Sequence, residues 1–513
     1  MTREMLCSPI HFLKHMLGEP PHQEVLSGLE TWWEKEGKSI SESTDHAGTP
    51  WLRMYDRFGK REDQVVFPPD YWKQLQKGYT AGVIWRVFEE NSLLSHYHLG
   101  YLTSFYDPGL YCPYIVSLAT AVSLEKYGTP GMKAQYLPHL LCRDDTVWQG
   151  ATWMTEAKGG SDLGTTVESV ARSMGQTSWT AHAYSNSETT RGNRSALSTE
   201  RWLLTGEKYF ASNVGADLAV VAARPEGAPQ SVRGLALFLV PRFREDGSLN
   251  YFIRRIKDKM ATRSVPTGEV EFKESEAYLL GNTELGIYLI LEVLNLSRVA
   301  NSIGSVAVTQ RALSEAWCFA EQRIAFGKPI LEHPLLRRQF EDRLSDLERA
   351  FALAWEAVQL LNDVWREAPR YSERYHLFRL VAHLAKYWAA EQAAQTAKWA
   401  MEVHGGAGTL LEFPIERWLR EAMILSIWEG TPHRQILDGL EVMERKGAHR
   451  LLLQHLGPYV HLERLEQMRS RVERHLALAT EEKEAGAEVI FRDLAVFTAE
   501  ALLHKLERKA PWW

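Results

Sequence analysis

Ser426-Ile427-Trp428-Glu429-Gly430-Thr431 sets a single carboxylate behind the apolar run Met423 to Trp428 and directly ahead of a glycine. Apolar neighbours lift a carboxylate's pKa by desolvation. A glycine lets the backbone turn sharply or approach a ligand closely. Glu429 is therefore a candidate general base, a group whose pKa can be moved toward the operating pH. The same pattern also suits an acid capping the first turn of a following helix. The surrounding chain has to separate the two.

Immediately upstream lie four long segments with apolar residues at three- and four-residue spacing: Leu285–Arg323, Pro334–Trp365, Tyr371–His404 and Pro414–Ile427. Their count and length fit a four-helix bundle over 284–443. Before them, 151–283 carries short strand-like runs bounded by Gly, Pro and Asn. Examples are Trp202–Gly206, Asp217–Ala223, Leu235–Val240 and Gly268–Phe272. These predict an antiparallel β domain, sandwich or barrel. Inside it, Ser173–Arg201 is polar and reads as a long hairpin arm or mobile loop.

Residues 1–150 read as an all-helical domain. Gln23–Gly37 is a short amphipathic helix, Ser41–Thr49 a polar loop, and Trp51–Phe67 a turn-rich segment with a tight turn at Phe58-Gly59-Lys60. A helix begins at Pro68-Pro69-Asp70, and others follow over Val83–Tyr101, Pro113–Tyr127 and Met132–Leu141. Loops with Asp107-Pro108-Gly109 and Gly128-Thr129-Pro130 separate them. Residues 444–513 form a charged helical extension. One stripe runs through Leu462, Leu465, Met468, Val472 and Leu476, another through Ile490, Leu494, Phe497 and Ala501. The fold class is α+β: helical domain, β domain, helical bundle, helical extension.

The 513 residues allow several domains, and 45% hydrophobic with 24% charged residues is ordinary for a globular protein. A net charge of -6 gives the whole chain no reason to seek nucleic acid or an anionic membrane. The four cysteines, Cys7, Cys112, Cys142 and Cys318, have no paired spacing and read as reduced cytosolic thiols, with no metal site. No apolar run reaches the ~18 residues of a membrane span, and no signal peptide is evident. The expectation is a cytoplasmic protein.

Four further motifs carry chemistry. Met154-Thr155-Glu156-Ala157-Lys158-Gly159-Gly160-Ser161-Asp162 offers backbone N–H groups to an anion or a ring carbonyl. It is not a dinucleotide fingerprint of the strand–helix type, and a surface turn would look the same. Gly206 to Asn213 presents Phe210 as a flat face and Ser212 as a hydroxyl two residues on, which simple core alternation would also produce. Arg323 to Ile330 closes a long helix with an arginine able to clamp phosphate, or to meet the helix dipole. His404-Gly405-Gly406-Ala407-Gly408 permits close approach of a ligand or neighbouring subunit, or serves as a helix cap.

In this order, these pieces resemble the acyl-CoA dehydrogenase superfamily of flavoproteins. The matching stretches are Met154–Asp162, Gly206–Asn213, Lys257–Phe272 with its Lys-Met-x-x-Arg-Ser run, Leu296–Ala300, Arg323–Ile330, Glu402–Gly408 and Trp428–Thr431. Tyr55-Asp56-x-x-Gly59, Phe67, Trp72 and Cys112-Pro113 resemble the alkylation-response, AidB-like branch, as do Pro241-Arg242-Phe243 and Ser426–Gly430. The resemblance implies FAD between the β domain and the bundle, in a homotetramer. It implies Phe210 beside the flavin, Ser212 at its N5 region, Thr155 and Ser161 facing its pyrimidine end and pyrophosphate, and Met154 and Gly160 among the cofactor-binding residues. Arg323, Phe326, Gly405 and Gly406 would reach the FAD of a neighbouring subunit, and Thr431 would touch FAD. Glu429 matches the catalytic carboxylate and Arg298 the arginine close to it.

The function this implies is α,β-desaturation of an acyl-CoA thioester in fatty acid metabolism. Glu429 is the base, flavin N5 takes the hydride, and an electron-transfer flavoprotein is the acceptor. A second reading is an AidB-like FAD-binding stress or DNA-protection protein with weak dehydrogenase activity; a third is an acyl-CoA oxidase. The sequence departs from the family at Phe210, where a Trp is usual, at Ser212, where a Thr is usual, and at His433, where a Gln is frequent. The AidB-like branch carries a larger, basic C-terminal domain. Here twelve Lys/Arg face ten Asp/Glu from Arg445 to Trp513. That near-neutral balance argues against binding the nucleic-acid backbone.

Overall fold

A computed structural model describes residues 3–179 and 197–507. The first bundle helix, Gly286–Gln322, is the axis of the molecule. Every residue from Asn295 to Ser314 on it is buried, as a helix without a polar face must be. Its interior hydroxyls bond back one turn: Ser302 to the Arg298 carbonyl at 3.0 Å, Ser305 to Asn301 at 2.8 Å and Thr309 to Ser305 at 2.8 Å. Around it pack the second helix, Pro334–Val364, the third, Glu373–His404, and the shorter fourth, Ile415–Ile427. Pro432–Lys446 follows and lies on the third.

The N-terminal region packs its helices Leu94–Tyr106 and Pro108–Tyr127 on the same axis. The expected loop at Asp107-Pro108-Gly109 shrinks to one residue. Asp107 caps the second helix by accepting the Leu110 N–H at 2.9 Å, with Pro108 in the first turn. Two other expectations fail here. The region is not all helical, because Trp51–Tyr55 and Arg61–Val66 pair as an antiparallel hairpin closed by the predicted turn at Gly59. Ser41–Thr49 is not a loop but most of a helix, Lys38–Ala47. Its polar residues point inward and are paired: Ser41 donates to Asp107 at 2.8 Å, and Asp45 accepts from Arg420 at 2.7 Å.

The middle region is a barrel. Leu218–Pro225 pairs with Ala236–Pro241, which pairs with Thr267–Leu280, then Leu197–Ser212, then Val170–Trp179, which returns to Leu218–Pro225 at Arg224 and Pro225. Most pairings are antiparallel, as expected, but Gly150–Trp153 and Val170–Trp179 each run parallel to Leu218–Pro225. Along that strand Ala219, Val221 and Ala223 fill the barrel with Trp153 and Phe238, while Leu218, Val220 and Ala222 join the helical core. The two-residue period thus ties both cores through one strand. Val170–Trp179 and Leu197–Ser212 form a long hairpin, and the tip of the predicted arm, 180–196, lies outside the described residues.

The C-terminal extension docks on the bundle through Ala487–Glu507. Ile490, Leu494, Phe497 and Ala501 are buried as their spacing predicts; in the other stripe Leu465, Met468 and Val472 are buried but Leu462 is exposed. Glu356 of the second bundle helix is buried and takes Lys505 at 2.6 Å and His455 at 2.7 Å. Although burial pushes its carboxyl up, the hydrogen bond with His455 and the Lys505 ammonium hold it below the ordinary range.

Candidate active site

Glu429 stands in the four-residue link, Trp428 to Thr431, between the fourth helix and Pro432–Lys446. Its backbone is left-handed, φ 59°, a conformation non-glycine residues hold only when their surroundings impose it. Gly430 follows at φ 104°, where an added Cβ would lie 2.6 Å from Gln435 Nε2. The carbonyls of the link are what hold it. Lys386 Nζ donates to the Ser426 and Gly430 carbonyls, both at 2.7 Å. Gln435 Nε2 donates to the Glu429 carbonyl at 3.0 Å and the Gly430 carbonyl at 3.1 Å, and its Oε1 lies 2.8 Å from His383 Nδ1. Arg298 Nε donates to the Glu429 carbonyl at 3.3 Å, while its guanidinium pairs with Asp438 at 3.2 Å.

No hydrogen bond takes up the Glu429 carboxylate among the described residues, so it projects partly exposed from a strained, clamped link. Burial pushes its pKa up to about 7, against the pull of Arg298 and Lys386. Burial pushes Lys386 down to about 7. A carboxylate poised near neutral pH, with no partner of its own, can take a proton from a ligand. Arg298 therefore acts on the backbone and the field at Glu429 and not on the carboxylate directly.

The barrel rim supplies the opposing face. Met154 is buried, and its carbonyl accepts from Lys208 Nζ at 3.3 Å. Lys208 and Glu156 form a buried pair at 2.6 Å, and Glu156 also accepts the N–H groups of Glu168 and Ser169. This anchors the Thr155–Asp162 loop. A Cβ at Gly160 would lie 2.4 Å from Thr155 Oγ1, so the loop folds back on Thr155 and leaves Ser161 exposed. Asp162 feels the charge of Arg434 on the helix that starts after Thr431. Phe210 is 54% exposed with Lys257 Nζ 4.8 Å from its ring centre. A bulge between Lys208 and Ala211 breaks the ladder there and re-aims these side chains. Ser212 Oγ is 3.5 Å from Thr267 Oγ1, Lys259 Nζ is 3.1 Å from Thr267 Oγ1, and Lys259 lies 5.8 Å from the Trp428 ring. That chain of contacts brings Ser212 to the same face as Trp428 and Glu429.

Arg323, Phe326, Gly405 and Gly406 are not part of this group. They cluster at the other end of the fourth helix, where Phe319 stacks on His404 at 4.4 Å. All four are exposed, Phe326 at 96%. Sequence reasoning missed Lys386, Gln435, Asp438 and Lys259. Two signals were available: Lys386, a lone cation in the apolar run Leu384 to Ala390, and Lys259, which opens the Lys-Met-x-x-Arg-Ser run.

The profile of the acyl-CoA dehydrogenase C-terminal domain matches residues 284–443, that of the acyl-CoA dehydrogenase middle domain 151–275, and that of the adaptive response protein AidB N-terminal domain 19–145. The chain belongs to the acyl-CoA dehydrogenase family, with an AidB-type N-terminal region. It is 30% identical over 416 residues to the putative acyl-CoA dehydrogenase AidB of Escherichia coli, spanning 78% of this chain and 70% of that one. It is 27% identical over 455 residues to acyl-CoA dehydrogenase family member 11 of Caenorhabditis elegans, spanning 85% and 69%. The structure of C. elegans ACDH-11 in complex with C11-CoA superposes with a TM-score of 0.84 at 23% identity, covering 99% of this chain and 88% of that one. The family is one of FAD-dependent oxidoreductases acting on acyl-CoA. The residues here suit that cofactor: an exposed flat ring at Phe210, a hydroxyl at Ser212, and a glycine loop folded tightly at Gly160.

Proposed function

We propose that this chain desaturates an acyl-CoA thioester between the α and β carbons, with Glu429 as the base. The observation that carries the reading is the unpartnered Glu429 carboxylate, held at φ 59° by clamps on the carbonyls around it and poised near pH 7. Bound FAD supplies the hydride acceptor. Glu429 takes the α-proton; Lys386, Gln435 and Arg298 hold its backbone so that the carboxylate stays aimed. Met154, Thr155, Gly160, Ser161, Phe210, Ser212 and Thr431 form the cofactor-binding face. Arg323, Phe326, Gly405 and Gly406, exposed and distant from that face, suit contact with FAD in a neighbouring copy of a cytoplasmic homotetramer. An electron-transfer flavoprotein is the electron acceptor in this reading. The working units are 1–150, 151–283, 284–443 and 444–513.

A small pocket of about 30 Å³, room for little more than a water molecule, lies beside Arg298 and does not hold an acyl chain as it stands. Val122, Val293, Leu296, Val364 and Phe378 line it, together with Asn295, which accepts a hydrogen bond from Arg298 at 3.3 Å. Anaerobic mixing of the FAD-loaded protein with short, branched, medium and long acyl-CoAs tests the proposal. Loss of oxidised-flavin absorbance with at least one chain length is expected; no change with any of them would sink it. The AidB-type N-terminal match favours a second reading, a protein that holds FAD and turns over acyl-CoA weakly. Reduction in a single turnover with negligible steady-state turnover would select it.

A further inference from the structure

Folding brings together two of the four cysteines, Cys7 and Cys318, which stand 311 positions apart in the chain. Their Sγ atoms lie 3.7 Å apart. Both are reduced and half-buried. Cys7 ends the first helix, Arg3–Cys7, and Cys318 lies near the end of the bundle axis, Gly286–Gln322. Of the other two, Cys112 is buried, and the Cys142 sulfur has Asp144 at 3.4 Å and Thr146 at 3.2 Å beside it.

The chain around the pair is built to hold it. Gln310, Ser314, Cys318 and Glu321 recur at four- and three-residue spacing and so share one face of the axis helix. Gln310 is buried, and its Nε2 donates to the carbonyls of Met5 at 2.9 Å, Leu6 at 3.2 Å and Ser8 at 3.1 Å. The backbone on both sides of Cys7 is thus pinned to the helix that carries Cys318. Tyr101 fixes that amide by donating to its Oε1 at 2.7 Å. At the far end of the same face Arg3 pairs with Glu321 at 3.4 Å. The contact with Cys318, the Ser314 hydroxyl and the Arg3 guanidinium hold the Cys7 thiol below its ordinary range against burial. The same contact, together with burial, pushes Cys318 up. Cys7 is therefore the sulfur that ionises, with the Cys318 proton beside it.

We propose that Cys7 and Cys318 form a reversible dithiol–disulfide site that reacts with hydrogen peroxide, Cys7 attacking and Cys318 resolving. A small oxidant suits sulfurs that are only partly exposed. The Cys7 thiolate attacks one peroxide oxygen and the O–O bond breaks. The second oxygen leaves as hydroxide, takes up the proton Cys7 had lost, and Cys7 becomes a sulfenic acid. The Cys318 sulfur then attacks the Cys7 sulfur; the S–O bond breaks, and the departing hydroxide leaves as water with the Cys318 proton. Two thiols and one peroxide give one disulfide and two waters, with two electrons passing from sulfur to oxygen. Closing 3.7 Å to the roughly 2.0 Å of an S–S bond is movement on the scale of a side chain. The product staples the first helix to the bundle axis.

The test uses the reduced full-length protein at pH 7 with hydrogen peroxide as the probe, read by thiol counting and by mass mapping of its peptides. Loss of two of the four thiols is expected, with a linked Cys7–Cys318 peptide and return of both thiols on adding dithiothreitol. Cys318→Ser should stop at a Cys7 sulfenic acid that dimedone traps. Cys7→Ser should slow thiol loss about tenfold or more, because the thiolate and not the thiol is the nucleophile. A wild type whose thiols persist, that reaches sulfinic acid without a link, or that links other cysteines would overturn the proposal. The wild-type link map decides between these outcomes even where either variant folds poorly.

Discussion

Lys386→Met removes the cation that clamps the Trp428–Thr431 link, and its effects separate by pH. Lys386 gives two hydrogen bonds to backbone carbonyls, at Ser426 and Gly430, both at 2.7 Å. Bonds from a charged donor contribute about 1.5–3 kcal/mol each, and buried acceptors left unpaired cost about 1–3 kcal/mol. Relief of the buried ammonium's desolvation offsets part of this, so a net loss of about 2–4 kcal/mol is expected, centred on the link. The second effect is on the base. Lys386 pulls the Glu429 pKa down against burial, which pushes it up to about 7. Without that cation Glu429 titrates about one unit higher. The carboxylate is the active form, so the rate rises with pH through the Glu429 pKa, and the acid limb moves up. Flavin reduction by acyl-CoA should then be about eightfold slower at pH 6.5 and within about twofold of wild type at pH 9. The assay is stopped-flow flavin reduction from pH 5.5 to 9.5. An acid limb that stays in place or moves down refutes the argument that Lys386 acts on the base.

Three other outcomes follow from the geometry. Gly430→Ala forces a side chain into φ 104° and against Gln435, so kcat should fall at least tenfold while FAD content holds, as read by steady-state kinetics and flavin stoichiometry. Gly439→Ala puts a Cβ 2.3 Å from the Phe491 ring; overpacking of about 1–3 kcal/mol should loosen the Ala487–Glu507 helix, visible as faster amide exchange confined to that helix. Glu356 has a depressed pKa, so its contribution is present above the ordinary carboxylate range and lost as pH falls through the folded value. Tail-helix amide protection should therefore drop in the wild type only as pH falls below the ordinary carboxylate range, and Glu356→Gln should remove that pH dependence.

The order of elements was legible because it is written in local periods. The 3.6-residue apolar pattern marks the bundle helices to within two residues of their ends, and short apolar runs mark the barrel strands. What stayed hidden depends on distant partners. Ser41–Thr49 looks like solvated loop because its polar residues find Asp107 and Arg420 only after folding. The parallel pairings onto Leu218–Pro225 come from strands brought together by closure of the barrel, and no local alternation encodes that register. At the site, Glu429 stood out because an isolated acid in an apolar run is locally unusual. Its clamps did not, because Lys386 and Gln435 act on backbone carbonyls, and a carbonyl has no signature in sequence. The clamp at Arg298 was named, but as a neighbour of the carboxylate; its hydrogen bonds go to the Glu429 carbonyl, Asn295 and Asp438.

In the proposed reaction Glu429 takes the α-proton while the flavin is reduced. That step is tested most directly by anaerobic stopped-flow reduction of the FAD-loaded wild type and Glu429→Gln, using the acyl-CoA that bleaches the wild type fastest. General-base catalysis typically contributes about 10²–10⁴-fold. A loss of that size in the reduction rate of Glu429→Gln is expected, with FAD content and acyl-CoA binding retained. Reduction at the wild-type rate in Glu429→Gln would contradict it.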